Sequence, residues 1–282
     1  MSTKLYKGEI KVEFNEGSHR YKVNGKVVPG VTGVLSVINK PALMLWPMEM
    51  ALKHIGGKKD QMTGEWTVPT EKTVTQNVIQ EASVAFTKKS DRGKEVGTLV
   101  HERVELILKG GRPDTHPDRQ VEKATNAFIK WYDSHDVEVL GTEQVVHSRE
   151  LNYCGTYDFL IRMGGKTYLG DLKTTNASPR HAPQGIYPEA WLQNAAYGKA
   201  FLENAQYEGS DTEIDDFMVI NASKEGELTV CTASELGYST EDLMRGFKAA
   251  FVLWSMTNDL KKILVKRGKD AKRNKRDNLP QA

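Results

Sequence analysis

Cysteine is nearly absent. Cys154 and Cys231 are the only two in 282 residues. That is too few for a four-cysteine zinc or iron–sulfur site, and no disulfide framework is implied. Long apolar runs are missing as well. No stretch approaches the roughly 20 residues of a membrane span, and no leader-like segment is visible, so the expectation is a cytoplasmic protein with no membrane partner. There is no internal repeat and no low-complexity segment. Net charge is only +2, too small on its own to imply nucleic acid. Its distribution is uneven. From Lys261 the chain is dense in Lys262, Lys266, Arg267, Lys269, Lys272, Arg273, Lys275 and Arg276. Such a run can contact phosphates without reading sequence, or be a solvated, frayed terminus.

The most informative stretch is Asn152–Thr175, NYCGTYDFLIRMGGKTYLGDLKTT. It reads as strands Tyr153–Arg162 and Lys166–Leu172, joined by Gly164-Gly165, a pair suited to a two-residue hairpin turn with positive φ. If Met163 faces Lys166, Asp158 faces Asp171. Directly opposed residues have Cβ atoms about 4.5–5.5 Å apart, so the two carboxylates repel. A divalent cation reverses the sign of that interaction. Lys173, two residues beyond Asp171, shares its face. Taken alone, the pattern equally suits a solvated hairpin face with scattered charges.

The remaining chain supplies elements around this hairpin. Strand-like Glu9–Phe14 and Arg20–Val28 lead, with a turn at Asn24-Gly25. Val31–Ile38 and Pro41–Ile55 read as helices, the second apolar through Leu45, Trp46, Met50 and Leu52. Gly56–Pro69 reads as a mobile loop. Helical pattern runs from Thr73 toward Lys89. A break at Asp91-Arg92-Gly93 is expected before a helix over Glu95–Leu108 that carries His101, with Gly97 one turn earlier on the same side. A lone helical histidine is ordinarily structural; a metal site beside it changes that reading. Asp118–Ser134 is amphipathic through Val121, Ala124, Phe128 and Trp131. Val137–Val146 reads as a strand, with Glu143 either on a solvated face or facing a site. After the hairpin comes a loop, Asn176–Tyr187, with Pro179, Arg180, His181 and Pro183. Pro188 then opens a helix that stacks Gln193 and Tyr197 at i and i+4. Strands over Ile214–Asn221 and Glu227–Thr232 precede a final helix from Glu241 to about Leu264, capped by Ser239 or Thr240. The sum is one α/β domain, a mixed sheet with helices before and after it, and an N-terminal elaboration.

Five motifs occur in order: Gly97-Thr98-Leu99-Val100-His101, Glu143, Gly155-Thr156-Tyr157-Asp158, Asp171-Leu172-Lys173 and Gln193-Asn194-Ala195-Ala196-Tyr197. Together they resemble the RecB-like branch of the PD-(D/E)XK nuclease superfamily. His19-Arg20-Tyr21, Pro29-Gly30-Val31-Thr32 and Leu45-Trp46 resemble the lead-in of phage-encoded and mitochondrial genome maintenance exonucleases. Gly30 stands where a serine is usual. The iron–sulfur subgroup of the branch needs four cysteines and is excluded.

The resemblance implies a restriction-endonuclease-like core over residues 77–264, an N-terminal elaboration over 1–76 and a disordered basic tail over 265–282. It implies a metal-dependent DNA exonuclease of the phage recombination or replication type, acting on single-stranded DNA or duplex ends. A single-strand-binding or annealing protein is a possible partner, and the setting is a bacterial host's cytoplasm if phage-encoded. An endonuclease or helicase-associated subunit, and an inactive DNA-binding protein, remain alternatives. Asp158, Asp171, His101 and the Leu172 carbonyl would hold one or two Mg²⁺ or Mn²⁺ ions. Lys173 would orient or deprotonate the attacking water. Glu143 would sit beside the ligands or join them. Gln193 and Tyr197 would position Lys173 or the DNA backbone.

Overall fold

The computed structural model describes residues 2–38, 41–60, 62–63, 65–69, 76–176 and 184–277, the side chains of 41–46, 76–79, 82, 85–86 and 269–277 excepted. Four short antiparallel strands open the chain: β1 (Ser2–Leu5), β2 (Ile10–Asn15), β3 (Arg20–Val23) and β4 (Lys26–Val28). Asn24 and Gly25 turn β3 into β4 with φ of 47° and 80°, the double positive φ that this dipeptide tolerates. Two short helices follow, α1 (Val31–Val34), extended by a 3₁₀ turn, and α2 (Pro41–His54). The expected loop at 56–69 contains a miniature hairpin, β5 (Lys58–Lys59) with β6 (Trp66–Thr67). Lys59 is held there by Glu49 at 2.5 Å and lies over the Trp66 ring.

The helix α3 (Gln76–Leu108) runs through the expected break without interruption. Arg92 pairs with Glu95 one turn on, at 2.7 Å, and with Asp118 at the start of the next helix. The polar triplet therefore has partners on the helix surface, and one interior glycine costs only about 1 kcal/mol. In α4 (Arg119–Asp133), Asp118 caps the amides of Gln120 and Val121, and Val121, Ala124, Phe128 and Trp131 are buried as the pattern required.

The main sheet contains β7 (Val137–Ser148), β8 (Tyr153–Met163), β9 (Lys166–Lys173), β10 (Asp216–Ala222) and β11 (Leu228–Thr232), in the order β11-β10-β9-β8-β7. Only β9 and β10 run parallel; the rest are antiparallel. The crossover between that parallel pair is α5 (Pro188–Glu208), with Pro188 in its first turn. On one face of the sheet α3 and α4 pack Val100, Val104 and Phe128 against Phe159, Ile161 and Met218. On the other face lie α1, α5 and α6 (Thr240–Asp277), with Val31, Ala196 and Phe247 around Leu160, Leu169 and Phe217. The chain is thus mixed α/β, a five-stranded sheet between helices. The N-terminal sheet is tied to it by Tyr6, whose hydroxyl donates to the His147 carbonyl at 2.7 Å, and by Tyr21, whose hydroxyl meets Thr156 at 2.9 Å.

Ser239 and Asp242 bond reciprocally at the start of α6, a capping box. The helix passes Leu264 and carries the basic run to Asp277, so the stretch expected to fray is helical that far. Charges spaced around a helix remain solvated on every side, which removes the objection to folding them. The side chains of Leu45 and Trp46, and the loop residues Pro179, Arg180, His181 and Pro183, lie outside the described residues. Both cysteines are free and buried. Among the described residues no helix is long and apolar enough to cross a membrane.

Candidate metal centre

The β8–β9 ladder begins at Met163–Lys166 and ends at Phe159–Gly170, the expected register. Gly164 and Gly165 make the turn at φ 57° and 76°. One step beyond the last pair stand Asp158 and Asp171. There Asp158 takes over from the strand: its Oδ2 accepts the Leu172 amide at 2.6 Å. Gly170 makes room for the Phe159 ring across the ladder, since a Cβ there would lie 2.0 Å from it. On the other side β7 pairs Thr142 with Phe159 and Gln144 with Tyr157, so Glu143 falls opposite Asp158. Glu143 and Asp158 therefore stand side by side on neighbouring strands, with Asp171 one residue past Gly170 on the third. Glu143 has φ 49°, just after the register shift between Val139 and Gly141. Such a bulge re-aims a side chain, and a non-glycine residue holds that conformation at a cost of order 1 kcal/mol or more.

His101 reaches this row from α3. Its Nδ1 is 3.6 Å from Asp158 Oδ2. Gly97, one turn earlier, lets the chain after β9 approach, since a Cβ there would meet Thr174 Oγ1 at 3.2 Å. One ligand atom each from His101, Glu143 and Asp158 lie within 4.8 Å of one another. Those three residues line a cavity of about 10 Å³ together with Glu105, Phe159 and Leu172, close to the space of one water or ion. The Leu172 amide points to β8, and in a strand the carbonyl of a residue shares that side.

Burial sets the electrostatics of this cavity. Burial, then the neighbouring Asp158 carboxylate, pushes Glu143 up to about 8. Burial raises Asp158 to about 6 against the opposing charge of Lys173, and Asp171 likewise to about 6. His101 is held below its ordinary value by burial and by Lys173, which leaves the ring neutral and able to ligate. Asp171 Oδ2 is buried and held by the Lys173 ammonium, whose Nζ stands 2.5 Å away. Two crowded carboxyls and a neutral imidazole around one ion-sized cavity are a donor set that could hold a divalent cation.

Lys173 sits on the α5 side of the same spot. Its Nζ donates to Gln193 Oε1 at 3.3 Å, and Gln193 Nε2 donates to the Tyr197 hydroxyl at 2.6 Å. Burial pushes the lysine down, but Asp171 and Asp158 outweigh it and hold the ammonium above its ordinary value. Gly155 admits the Tyr197 ring: a Cβ at that position would come within 2.3 Å of it.

All the expected site residues thus converge at one end of β7–β9. The balance among them differs from expectation. Glu143 shares the ion-sized cavity with His101 and Asp158, while Asp171 is committed to Lys173. Glu105 was not anticipated; it lies one helical turn beyond His101, so i+4 spacing was the available signal. The Tyr21–Thr156 bond was not anticipated either, because nothing local in the sequence joins residues that far apart. No protein-family model matches the chain, and no curated protein matches it.

Proposed function

We propose that this chain is a metal-dependent DNA exonuclease of the RecB-like branch of the PD-(D/E)XK superfamily. One observation carries the reading. An imidazole, two carboxylates of one ion-sized cavity and a third buried carboxylate lie beside a charged lysine at the open end of a mixed sheet. His101, Glu143 and Asp158 would hold Mg²⁺ or Mn²⁺, with Asp171 and the Leu172 carbonyl beside them. The ion would supply Lewis-acid polarisation of a phosphate oxygen and a more acidic water.

The chain's own residues divide the remaining work. Lys173 stays an ammonium at neutral pH, because Asp171 and Asp158 hold its proton. It therefore donates hydrogen bonds and offsets phosphate charge rather than taking a proton. Gln193 fixes the ammonium by accepting from it, and Tyr197 fixes Gln193. Glu143, protonated near neutrality, releases its proton when a cation arrives.

A digestion tests this reading and separates its rivals. Linear and circular single-stranded DNA, and linear duplex, are incubated with the protein in Mg²⁺ and in Mn²⁺. An exonuclease degrades the linear strands and spares circles. Cut circles favour an endonuclease or helicase-associated subunit. Binding without cleavage in either ion favours an inactive DNA-binding protein.

A further inference from the structure

The helix α6 carries two apolar faces. The inward one ends at Trp254: Leu243 and Phe247 are buried, and Phe251 and Trp254 pack against the same core. The outward one is made of Val252, Leu253, Met256, Leu260, Ile263 and Leu264, each between 51 and 65 % exposed. At 3.6 residues per turn these six fall within about 120° of the helix circumference, a continuous stripe. From Asp259 to Gly268 every residue is exposed, so the helix leaves the body of the protein with its apolar stripe bare. A soluble monomer rarely shows an apolar patch above roughly 300–600 Å².

The stripe has an internal symmetry. Reversed about Asn258, it reads the same: Val252 exchanges with Leu264, Leu253 with Ile263, and Met256 with Leu260. That is the condition for an isologous contact, in which residue i meets j and j meets i across a twofold axis. The six side chains offer on the order of 600 Å² per copy, most of the roughly 800 Å² that each side of a standard stable interface gives up. Charge selects the direction. A parallel pair would bring Lys266 and Arg267, both exposed, together with their own copies. The reversed register keeps each of them about 24–27 Å along the axis from its own copy, at 1.5 Å per residue.

We propose that the chain forms a twofold homodimer through antiparallel pairing of α6 over 252–264, with the axis passing between Met256 and Leu260. The contact is independent of any reaction at the metal centre. Sedimentation of the full chain at micromolar concentration tests it. The expected species is a dimer, and Met256→Glu with Leu260→Glu converts it to a monomer with unchanged circular dichroism and unchanged Mn²⁺ binding. A spin label replacing Arg267 then reports direction: the two labels stand about 27 Å apart along the axis in the antiparallel pair, at 1.5 Å per residue. A monomeric wild type, a dimer that survives both substitutions, or labels within about 12 Å of each other overturns the proposal.

Discussion

His101 Nδ1 on α3 stands 3.6 Å from Asp158 Oδ2 on β8, beside the packing of Val100 and Val104 against Phe159. The imidazole is neutral by burial, so it offers the carboxylate no counter-charge. If the proposed centre forms, replacing either one removes a ligand rather than an ion pair. His101→Ala and Asp158→Asn should each weaken Mn²⁺ binding by more than the roughly 10–100-fold that a mere supporting partner costs. Isothermal titration reads this directly. Wild-type affinity in both variants would put the ion elsewhere.

The pH dependence has a definite sign. Burial lifts Glu143 from 4.5 to about 8, and Asp158 from 3.8 to about 6. An acid raised on folding stabilises the fold fully below its ordinary value and loses that contribution as pH rises through the raised one. His101, shifted down, works the other way and only below its ordinary 6.5. In chelator, Glu143→Gln should thus gain thermal stability relative to wild type between about pH 6 and pH 8. With Mn²⁺ the order should reverse at about pH 8, because the variant lacks a ligand. Thermal melts in four conditions check this, and a variant that tracks wild type in all of them contradicts it.

The Lys173–Gln193–Tyr197 chain predicts a graded loss. Removing a positioned cation or donor typically costs about 10²–10³ in turnover. Lys173→Ala should lose that much and Gln193→Leu less, with Mn²⁺ affinity kept in both. Single-turnover digestion separates the effects. Equal losses, or lost metal binding, would mean that the lysine builds the site instead of serving it.

Gly155 supports a stability prediction. A methyl there meets the Tyr197 ring at 2.3–2.7 Å and Val31 at 3.1 Å. Both neighbours are buried, so neither can step aside. Gly155→Ala should cost about 1–3 kcal/mol by overpacking and should displace Gln193 through Tyr197. Chemical denaturation together with activity measures both consequences.

Much of this site was legible because its signals are local. The Gly164-Gly165 turn fixed the β8–β9 register from Met163–Lys166 to Phe159–Gly170, one step short of Asp158 and Asp171. Gln193 and Tyr197 were one helical turn apart, and their bond is the one that spacing allows. The share of Glu143 was hidden, because it depends on a strand irregularity and a φ of 49° that its neighbours do not announce. The break expected at Asp91-Arg92-Gly93 failed for the converse reason. Arg92 finds its second partner in Asp118, on a helix that local pattern cannot place. The helical course of α6 to Asp277 was missed because a dense basic run reads the same whether it is coiled or solvated on a helix.

The claim beneath all of this is that one divalent cation at His101, Glu143 and Asp158 makes the chain a phosphodiesterase. End-labelled linear single-stranded DNA, incubated with wild type and Asp158→Asn in Mn²⁺ and in chelator, tests it most directly. Shortened products from wild type with Mn²⁺ alone are the predicted result. Intact DNA in every lane, or cleavage that persists in chelator or in the variant, contradicts it.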